Sequence, residues 1–223
     1  MSNAKQKPRS ASALATPENS TAQIVLRLFQ QLMVLLLAVL GFLFCLISTY
    51  DIDLPTVTLV WSAVAFSLLF LAVFSVTRSG LLALIVLLFA VAYGVLNATD
   101  LFQGVLRLVE HAISPLSLSL PAPLQLLLQP AEAEQLPALM THAMQAILFL
   151  VSFLAGFFII SEPSVPGLAL STLPLLLPGP FYLLSPARLP FFMLFAAHMM
   201  VFAFNNAKRA QTTLRAGVYV PQS

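Results

Sequence analysis

One histidine lies within a long apolar run, where a side chain that can carry a proton is unusual. His198 is near the middle of the run Leu189 to Asn206, and an ionisable residue in a membrane-spanning segment is a functional hypothesis by default. One interpretation is a proton relay or a ligand contact. The other is a neutral ring, favoured by burial, that hydrogen bonds a serine or a backbone carbonyl of a neighbouring helix. No Asp, Glu, Lys or Arg lies at a comparable depth. The pattern therefore favours the second interpretation, and His198 stays a candidate functional residue.

Methionine and histidine also occur together in two apolar runs, which raises the question of a metal site. The residues are Met140, His142, Met144, His198, Met199 and Met200. Thioether and imidazole groups suit Cu(I), but methionine at helical spacing is more often an adaptable apolar packing residue. We therefore predict no metal and no cofactor, and keep His142 as a second candidate functional residue.

Every carboxylate lies outside the apolar runs. The acidic residues are Glu18, Asp51, Asp53, Asp100, Glu110, Glu132, Glu134 and Glu162. Hydrolytic or transfer chemistry needs a nucleophile beside a base, or paired carboxylates, in a dry pocket. The single cysteine, Cys45, has no histidine partner, and there is no glycine-rich phosphate loop. A net charge of +2 provides no basic surface for nucleic acid. We predict that the chain is not an enzyme and does not bind nucleic acid.

The elements that position these residues are apolar segments long enough to cross a membrane. Of the 223 residues, 60% are hydrophobic and 8% are charged, and about 20 apolar residues span a hydrocarbon core of roughly 30 Å. The expected spans cover residues 32–50, 57–77, 81–97, 138–160, 165–184 and 189–206. The sequence predicts an all-α, polytopic integral membrane bundle with six transmembrane helices, located in the cell membrane. Its expected partners are the lipid bilayer and other membrane helices or an extracytoplasmic protein.

The segments around these spans differ in composition. Residues 1–23 are polar and predict a flexible cytoplasmic tail, residues 24–210 form the six-span membrane domain, and residues 211–223 form a short cytoplasmic tail. The longest connection, residues 98–137, contains an amphipathic helix over 100–114. Its polar face would carry Asp100, Gln103, Arg107, Glu110 and Ser114. This pattern favours a helix that lies on the membrane surface or covers one end of the bundle.

The distribution of lysine and arginine predicts the orientation, because these residues stay on the cytoplasmic side of short loops. With six spans and both termini inside, the cytoplasmic residues are Lys5, Lys7, Arg9, Arg27, Arg78, Lys208, Arg209 and Arg215. Only Arg107 and Arg188 then lie outside, a split of eight to two. If residues 165–184 did not cross, the split would be six to four. The count favours cytoplasmic termini and places residues 98–137 outside.

Five prolines fall within residues 171–190, so this window contains either a broken helix that holds a ligand or a hairpin between two spans. Ser164 and Pro166 are typical of a helix N-cap and first turn. Pro174 would kink the span, and residues 178–189 would form the outer hairpin. The charge count favours the hairpin. Pro174 remains the third candidate functional residue, as the one position where a discontinuous helix could bind a ligand.

The order of these features resembles the N-terminal membrane region of bacterial transglutaminase-like membrane proteins, over residues 30–210. The shared features are the acidic loop Asp51–Thr56, the turn Arg78-Ser79-Gly80, the segment 100–109 before a proline-rich stretch, the segment 171–177, and Lys208-Arg209 at the end of the last span. The resemblance implies an anchor for an extracytoplasmic papain-like domain with a Cys-His-Asp catalytic set. No such domain precedes Ser223, so no catalytic residue is carried over. We expect a detached membrane portion or a relative whose partner is encoded separately.

The resemblance predicts a non-catalytic multi-pass membrane protein with an anchoring or scaffolding role. The alternative is a small-solute transport subunit, because six spans in a chain of this length with both termini inside also resemble the substrate-binding membrane subunits of energy-coupling vitamin transporters. Such a subunit would have its substrate site under the outer segment 98–137. The spans contain few polar side chains with which to line that site.

Overall fold

The computed structural model describes residues 21–76, 81–114, 119–128, 135–177, 184 and 186–217. These residues form helices, and no strand occurs among them. The helices are α1 (Thr21–Tyr50), α2 (Thr56–Val76), α3 (Leu81–Leu96), α4 (Ala98–Ile113), α5 (Ala122–Leu127), α6 (Leu136–Gly156), α7 (Val165–Thr172) and α8 (Arg188–Gly217). A π-helical turn, Phe157–Ser161, continues α6. Residues 1–20, the turn at 78–80 and residues 178–183 of the expected hairpin lie outside the described residues.

Four helices are long and apolar enough to cross a membrane. They cover Thr21–Tyr50, Thr56–Ser75, Leu136–Ser161 and Arg188–Ala207, and a fifth span is present if α3 and α4, which meet at a bend of 84°, are counted as one. The prediction of an all-helical fold is confirmed for the described residues, and so is the presence of several helices that are long and apolar enough to cross a membrane.

The two other predicted spans are shorter in the structure than in the sequence-based interpretation. Helix α3 has 16 residues, about 24 Å of helix, and α7 has eight, about 12 Å. Asn97 ends α3, where its side chain donates to the Tyr93 carbonyl at 2.9 Å. Helix α7 ends two residues before Pro174, which has no N–H to donate to the helix. Leu173 between them still has helical backbone, with φ of −75° and ψ of −35°, and its amide donates to the Ala169 carbonyl at 2.8 Å.

Helices α1 and α8 make the most extensive helix–helix contact among the described residues, and they run antiparallel. The Ala187 amide, just before α8, donates to the Ser48 hydroxyl near the end of α1 at 3.0 Å. Midway along the pair, a Cβ atom at Gly41 would lie 2.8 Å from the Leu194 backbone nitrogen. Glycine is therefore what allows the two backbones to approach this closely. The side chains of Leu194, Ala197 and Val201 form the buried face of α8.

Helices α2 and α6 pack through matching rows of phenylalanine. Phe66, Phe70 and Phe74 of α2 contact Phe149, Phe153 and Phe157 of α6, with ring centroids 5.1 to 6.0 Å apart in edge or tilted geometry. Edge contacts are a preferred geometry for aromatic rings. One turn before the rows, the Gln145 amide donates to the Ser62 hydroxyl at 2.9 Å. Residue numbers rise together along both rows, so α2 and α6 run parallel.

Helix α4 lies across α6 at one end of the bundle. A Cβ atom at Gly104 would overlap the Leu139 carbonyl and lie 2.8 Å from Ala143 Cβ, so the two backbones are in direct contact. Gln103, expected on the polar face, is 7% exposed, and its amide donates to the Leu127 carbonyl at 2.8 Å. Phe102, Val105 and Val109 are exposed instead. The helix therefore buries a mixed face and presents an apolar stripe outward.

Helix α3 contrasts with the rest of the bundle because none of its residues is buried. Its contacts are with α2 and α4, the helices that precede and follow it in the chain. Gly94 faces open space, since nothing lies within 4 Å of a Cβ built there. Most of the apolar surface of α3 is therefore available to lipid.

Candidate functional site

One cavity, called here the Gln31 cavity, lies between the start of α1, the end of α6 and the C-terminal part of α8. Its volume is about 410 Å³. The lining residues are Arg27, Gln30, Gln31, Ile159, Ile160, Ser161, Pro163, Phe204 and Ala207. Its polar side chains come mainly from α1, and its apolar side chains come from α6 and α8. The cavity can therefore accept a group that is polar on one side and apolar on the other.

Gln31 is the buried polar residue of this cavity. It is 8% exposed, and its side-chain amide makes no hydrogen bond with any described residue. The amide has two donors and an acceptor. Arg27, one turn earlier on α1, is exposed and makes no ion pair within the described part of the chain. Gln30 is exposed beside it.

The π-helical turn shapes the wall opposite α1. The Glu162 amide donates to the Phe157 carbonyl at 3.0 Å, and the Ser164 amide donates to the Phe158 carbonyl at 3.0 Å. This wider winding places Ser161 at the cavity, and such turns are frequent at functional sites. The chain then reverses at Ser164, whose hydroxyl accepts from the Gly167 amide at 3.3 Å and caps α7.

A second cavity, the Thr49 cavity, lies at the opposite end of the α1–α8 pair and has a volume of about 690 Å³. Its lining residues are Cys45, Thr49, Leu173, Leu176, Leu177, Pro186, Arg188, Phe191, Phe192 and Leu194. Thr49 is 6% exposed, and its hydroxyl has no hydrogen-bond partner among the described residues. Arg188 is exposed at the edge. The remaining walls are almost wholly apolar.

Two interactions fix the end of α1 beside the Thr49 cavity. The Tyr50 hydroxyl donates to the Leu175 carbonyl at 3.1 Å, which holds the turn after α7 against the end of α1. Helix α1 itself ends in a left-handed residue, Asp51, with φ of 50°. The Ile52 amide then donates back to the Ile47 carbonyl at 3.2 Å, the pattern of a Schellman C-cap.

His198, the first of the three sequence-based candidates, is half-buried on α8 between the buried residues Leu194 and Val201. Its Nδ1 lies 2.8 Å from the Leu194 carbonyl, one turn back on its own helix. A carbonyl only accepts, so we assign the proton to Nδ1, which leaves the Nε2 lone pair as an acceptor. Nε2 is buried and has no hydrogen-bond partner among the described residues. The expected bond to a neighbouring helix is replaced by a bond within α8.

His142 and Pro174, the other two candidates, are both exposed. His142 lies on α6, and Pro174 lies in the turn after α7 whose leucines line the Thr49 cavity. None of the three candidates lines either of these two cavities. No cluster of three or more His, Cys, Asp or Glu side chains that could hold a metal ion occurs in the described ranges.

The residues that do line the two cavities were not singled out from the sequence. The signal for the Gln31 cavity is the pair Gln30-Gln31, two amides that follow Arg27 at the start of an apolar run. Among the described lining residues of both cavities there is no Asp, Glu or His. Their chemistry is hydrogen bonding and apolar contact, which suits binding. No family model, curated protein or solved structure matches the chain.

Proposed function

We propose that this chain is a non-catalytic multi-pass membrane domain that anchors or scaffolds a partner protein in the cell membrane. It crosses the bilayer six times, with both termini in the cytoplasm and α4 on the outer side. The proposal combines helix directions, charge distribution and the hydrogen bonds at the α4 end of the bundle.

The directions of the four long helices support an even number of crossings. Helix α1 is antiparallel to α8. The five residues 51–55 join α1 to α2, and α1 packs against α2. Helix α6 is parallel to α2. Arg27 and Ala207 line the same cavity, so the start of α1 and the C-terminal part of α8 lie at the same end of the bundle. Both ends of the membrane domain are then on one side.

The same directions support two return crossings. Helices α2 and α6 are parallel, so the chain returns between them to the end at which α2 began, and α3 is the segment that lies between them. Between α6 and α8 the chain returns again, in the stretch from α7 to the start of α8. We assign these two segments to the spans predicted at 81–97 and 165–184. In this proposal they cross as a short helix and as a proline-broken segment beside the longer helices.

The charge split supports the orientation. With six crossings, eight of the ten lysines and arginines are cytoplasmic, as the positive-inside rule favours. Tyr50, Trp61 and Tyr93 then lie near the outer interface, where aromatic belts form. The Gln31 cavity is at the cytoplasmic end, and the Thr49 cavity and α4 are at the outer end.

The observation that supports an anchoring role is the set of hydrogen bonds that fixes the outer end as one surface. The His111 ring on α4 donates from Nε2 to the Asp51 carbonyl at 3.0 Å. This bond joins α4 to the first loop, and the Gln103 bond joins α5 to α4. The Tyr50 bond and the Ala187 bond join the turn after α7 and the start of α8 to α1. We call these tied segments the outer rim. A rigid rim suits a domain that holds an extracytoplasmic partner, as the resemblance to transglutaminase-like membrane proteins implies.

Site-specific photo-crosslinking tests this role. A photo-reactive amino acid at Val109, which is 42% exposed on α4, should crosslink in intact cells to a protein with an extracytoplasmic domain. The matched control is Leu88, 58% exposed on α3, which should give lipid adducts. Identical products at the two positions, or lipid adducts alone at Val109, would contradict the anchoring role.

A transport subunit is the second candidate, and the Thr49 cavity favours it. Its volume of about 690 Å³ lies within the range of roughly 300–1,000 Å³ that small-molecule sites occupy. The substrate site would then lie between α1 and α8, because α4 packs directly on α6 at Gly104. In this case a native pull-down should recover a second membrane subunit and ATPases, and a small apolar solute should raise the thermal stability of the chain. Absence of both would count against transport.

A further inference from the structure

The Gln31 cavity contains an amide that has no hydrogen-bond partner among the described residues. Most of the Gln31 side chain is buried, since the residue is 8% exposed, and it lines the cavity. An amide has two donors and an acceptor. The Gln31 amide is therefore placed to bond a group that enters this cavity of about 410 Å³.

The side chains around Gln31 define the charge of that group. Arg27 offers a guanidinium with donors only, and it has no ion pair with the described residues. Gln30 and the Ser161 hydroxyl add further donors at the same cavity. The acidic residue nearest to it in the chain, Glu162, is exposed and does not line it. This set favours an anion with several oxygens, and guanidinium pairs well with two oxygens of a phosphate.

The apolar wall defines the rest of the ligand. Ile159, Ile160 and Phe204 face the polar side chains across the cavity. Phe29, two residues after Arg27, is 57% exposed on the surface of α1. A ligand with a phosphate in the cavity and apolar chains along this surface would satisfy both walls.

We propose that the Gln31 cavity binds the phosphate headgroup of an anionic phospholipid. Basic pockets between membrane helices on the cytoplasmic side recognise such headgroups, and the cytoplasmic leaflet is rich in them. In the sequence, the basic residues Lys208 and Arg209 directly follow Ala207, which lines the cavity. The lipid assignment rests on the cytoplasmic orientation proposed above, but it does not depend on the anchoring role or on the partner of the outer rim.

Thermal unfolding of the full chain in detergent micelles tests the proposal. Phosphatidylglycerol, phosphatidylcholine and glycerol 3-phosphate are titrated separately, since a ligand that binds the folded state raises the unfolding temperature with concentration. Phosphatidylglycerol should stabilise the chain at concentrations at which the other two do not. Stabilisation by glycerol 3-phosphate alone would assign the site to a soluble phosphate ester and overturn the lipid assignment.

Matched substitutions locate the effect. Arg27→Gln and Gln31→Leu should each weaken the apparent affinity for phosphatidylglycerol about tenfold, the effect of one charge-assisted hydrogen bond. Arg188→Gln at the Thr49 cavity removes the same charge from the opposite end and should leave the affinity unchanged. Gln31→Glu keeps a polar side chain but repels phosphate, and it should weaken binding more than Gln31→Leu does.

Two results would overturn the site. Equal stabilisation of the wild-type chain by phosphatidylglycerol and phosphatidylcholine would mean that the cavity does not recognise headgroup charge. A loss of affinity in Arg188→Gln as large as that in Arg27→Gln would mean that net charge alone attracts the lipid. If Gln31→Leu does not fold, Arg27→Gln, at an exposed position, serves as the test: a tenfold loss of affinity supports the site, and unchanged affinity overturns it.

Discussion

The two ends of the α1–α8 pair differ in chemistry although the same two helices form both. At the Gln31 end, a π-helical turn of α6 brings a serine and backbone next to glutamine and arginine. At the Thr49 end, the partner is a leucine-rich turn broken by proline, and the cavity is nearly all apolar. The third element at each end therefore decides what the cavity can hold. Antiparallel packing of two apolar helices does not by itself specify a binding site.

The two ends also differ in the hydrogen bonds that hold neighbouring segments to α1. At the Thr49 end, the Tyr50 hydroxyl and the Ala187 amide each tie a neighbouring segment to α1. At the Gln31 end, no hydrogen bond among the described residues joins the side chains of Arg27, Gln30 or Gln31 to another element. The Thr49 end is held by hydrogen bonds within the protein, whereas the donors at the Gln31 end remain available to a ligand.

The largest expected effect comes from separating α1 from α8 at their crossing, which would disturb both ends together. Gly41→Val would place side-chain atoms within overlap distance of the Leu194 backbone, 2.8 Å away at the Cβ position. Because backbone cannot move aside as a side chain can, we expect a loss of about 3 kcal/mol, the upper part of the range for overpacking. Thermal unfolding in detergent measures it.

The control for Gly41 is Gly94→Ala on α3, where nothing lies within 4 Å of the added carbon. Alanine favours helix over glycine by roughly 0.5–1 kcal/mol, so this variant should be as stable as the wild type or slightly more so. Equal losses at Gly41 and Gly94 would mean that the α1–α8 crossing is not a close backbone contact.

The next effect compares the two unpartnered polar groups directly. Without lipid, Thr49→Val should raise the free energy of unfolding by about 1 kcal/mol, because a buried hydroxyl without a partner is replaced by a methyl group of similar shape. Gln31→Leu should change it little, because the amide that it removes makes no hydrogen bond with the described residues. With phosphatidylglycerol present, Thr49→Val should keep its gain and Gln31→Leu should be less stable than the wild type. Parallel behaviour in both conditions would show that the two ends do not differ in ligand binding.

A smaller effect tests the rim at the Thr49 end. Asp51 has φ of 50°, a left-handed conformation that glycine adopts without strain and that aspartate adopts more readily than alanine, because its short polar side chain can hydrogen bond locally. Asp51→Ala should therefore lower the free energy of unfolding by about 1 kcal/mol, and Asp51→Gly should not lower it. A loss with glycine equal to that with alanine would indicate that the aspartate carboxylate, and not the backbone, matters at this C-cap.

The smallest expected effect is at His198, which lies between the two ends and lines neither cavity. Its Nδ1 bond goes to a carbonyl of its own helix, and its Nε2 has no partner among the described residues. His198→Leu should therefore change the free energy of unfolding by less than about 1 kcal/mol. A larger loss would show that Nε2 has a partner when the chain is in a bilayer.

Several of these features follow from the sequence. Long apolar runs predict membrane-spanning helices because backbone polar groups must be satisfied internally in lipid. Ser164 and Pro166 predict the start of α7, where the structure has Ser164 as the N-cap. Phenylalanines four residues apart occur in both Phe66–Phe74 and Phe149–Phe157, so the rows are visible in the sequence. Their pairing is not, because the offset between two rows depends on tertiary packing.

The rest depends on contacts that no local pattern contains. Gln103 belongs to the polar face of α4 by spacing, but Gly104 beside it lets α4 approach α6 closely enough to bury it. Gln31 is polar and near a span end, where exposure is the ordinary expectation. Its burial results from the π-helical turn of α6, more than 120 residues later in the chain. Sequence periodicity therefore predicts helices here, and only packing reveals the cavities.

Labelling of introduced cysteines in intact cells tests the six-crossing arrangement most directly. The chain has a single native cysteine, so Cys45→Ala provides a clean background for Asp53→Cys in the first loop and Thr212→Cys near the end of α8. A membrane-impermeant maleimide added from outside should label Asp53→Cys at once and Thr212→Cys only after the membrane is permeabilised. Labelling of Thr212→Cys in intact cells would place the end of α8 outside and contradict the arrangement.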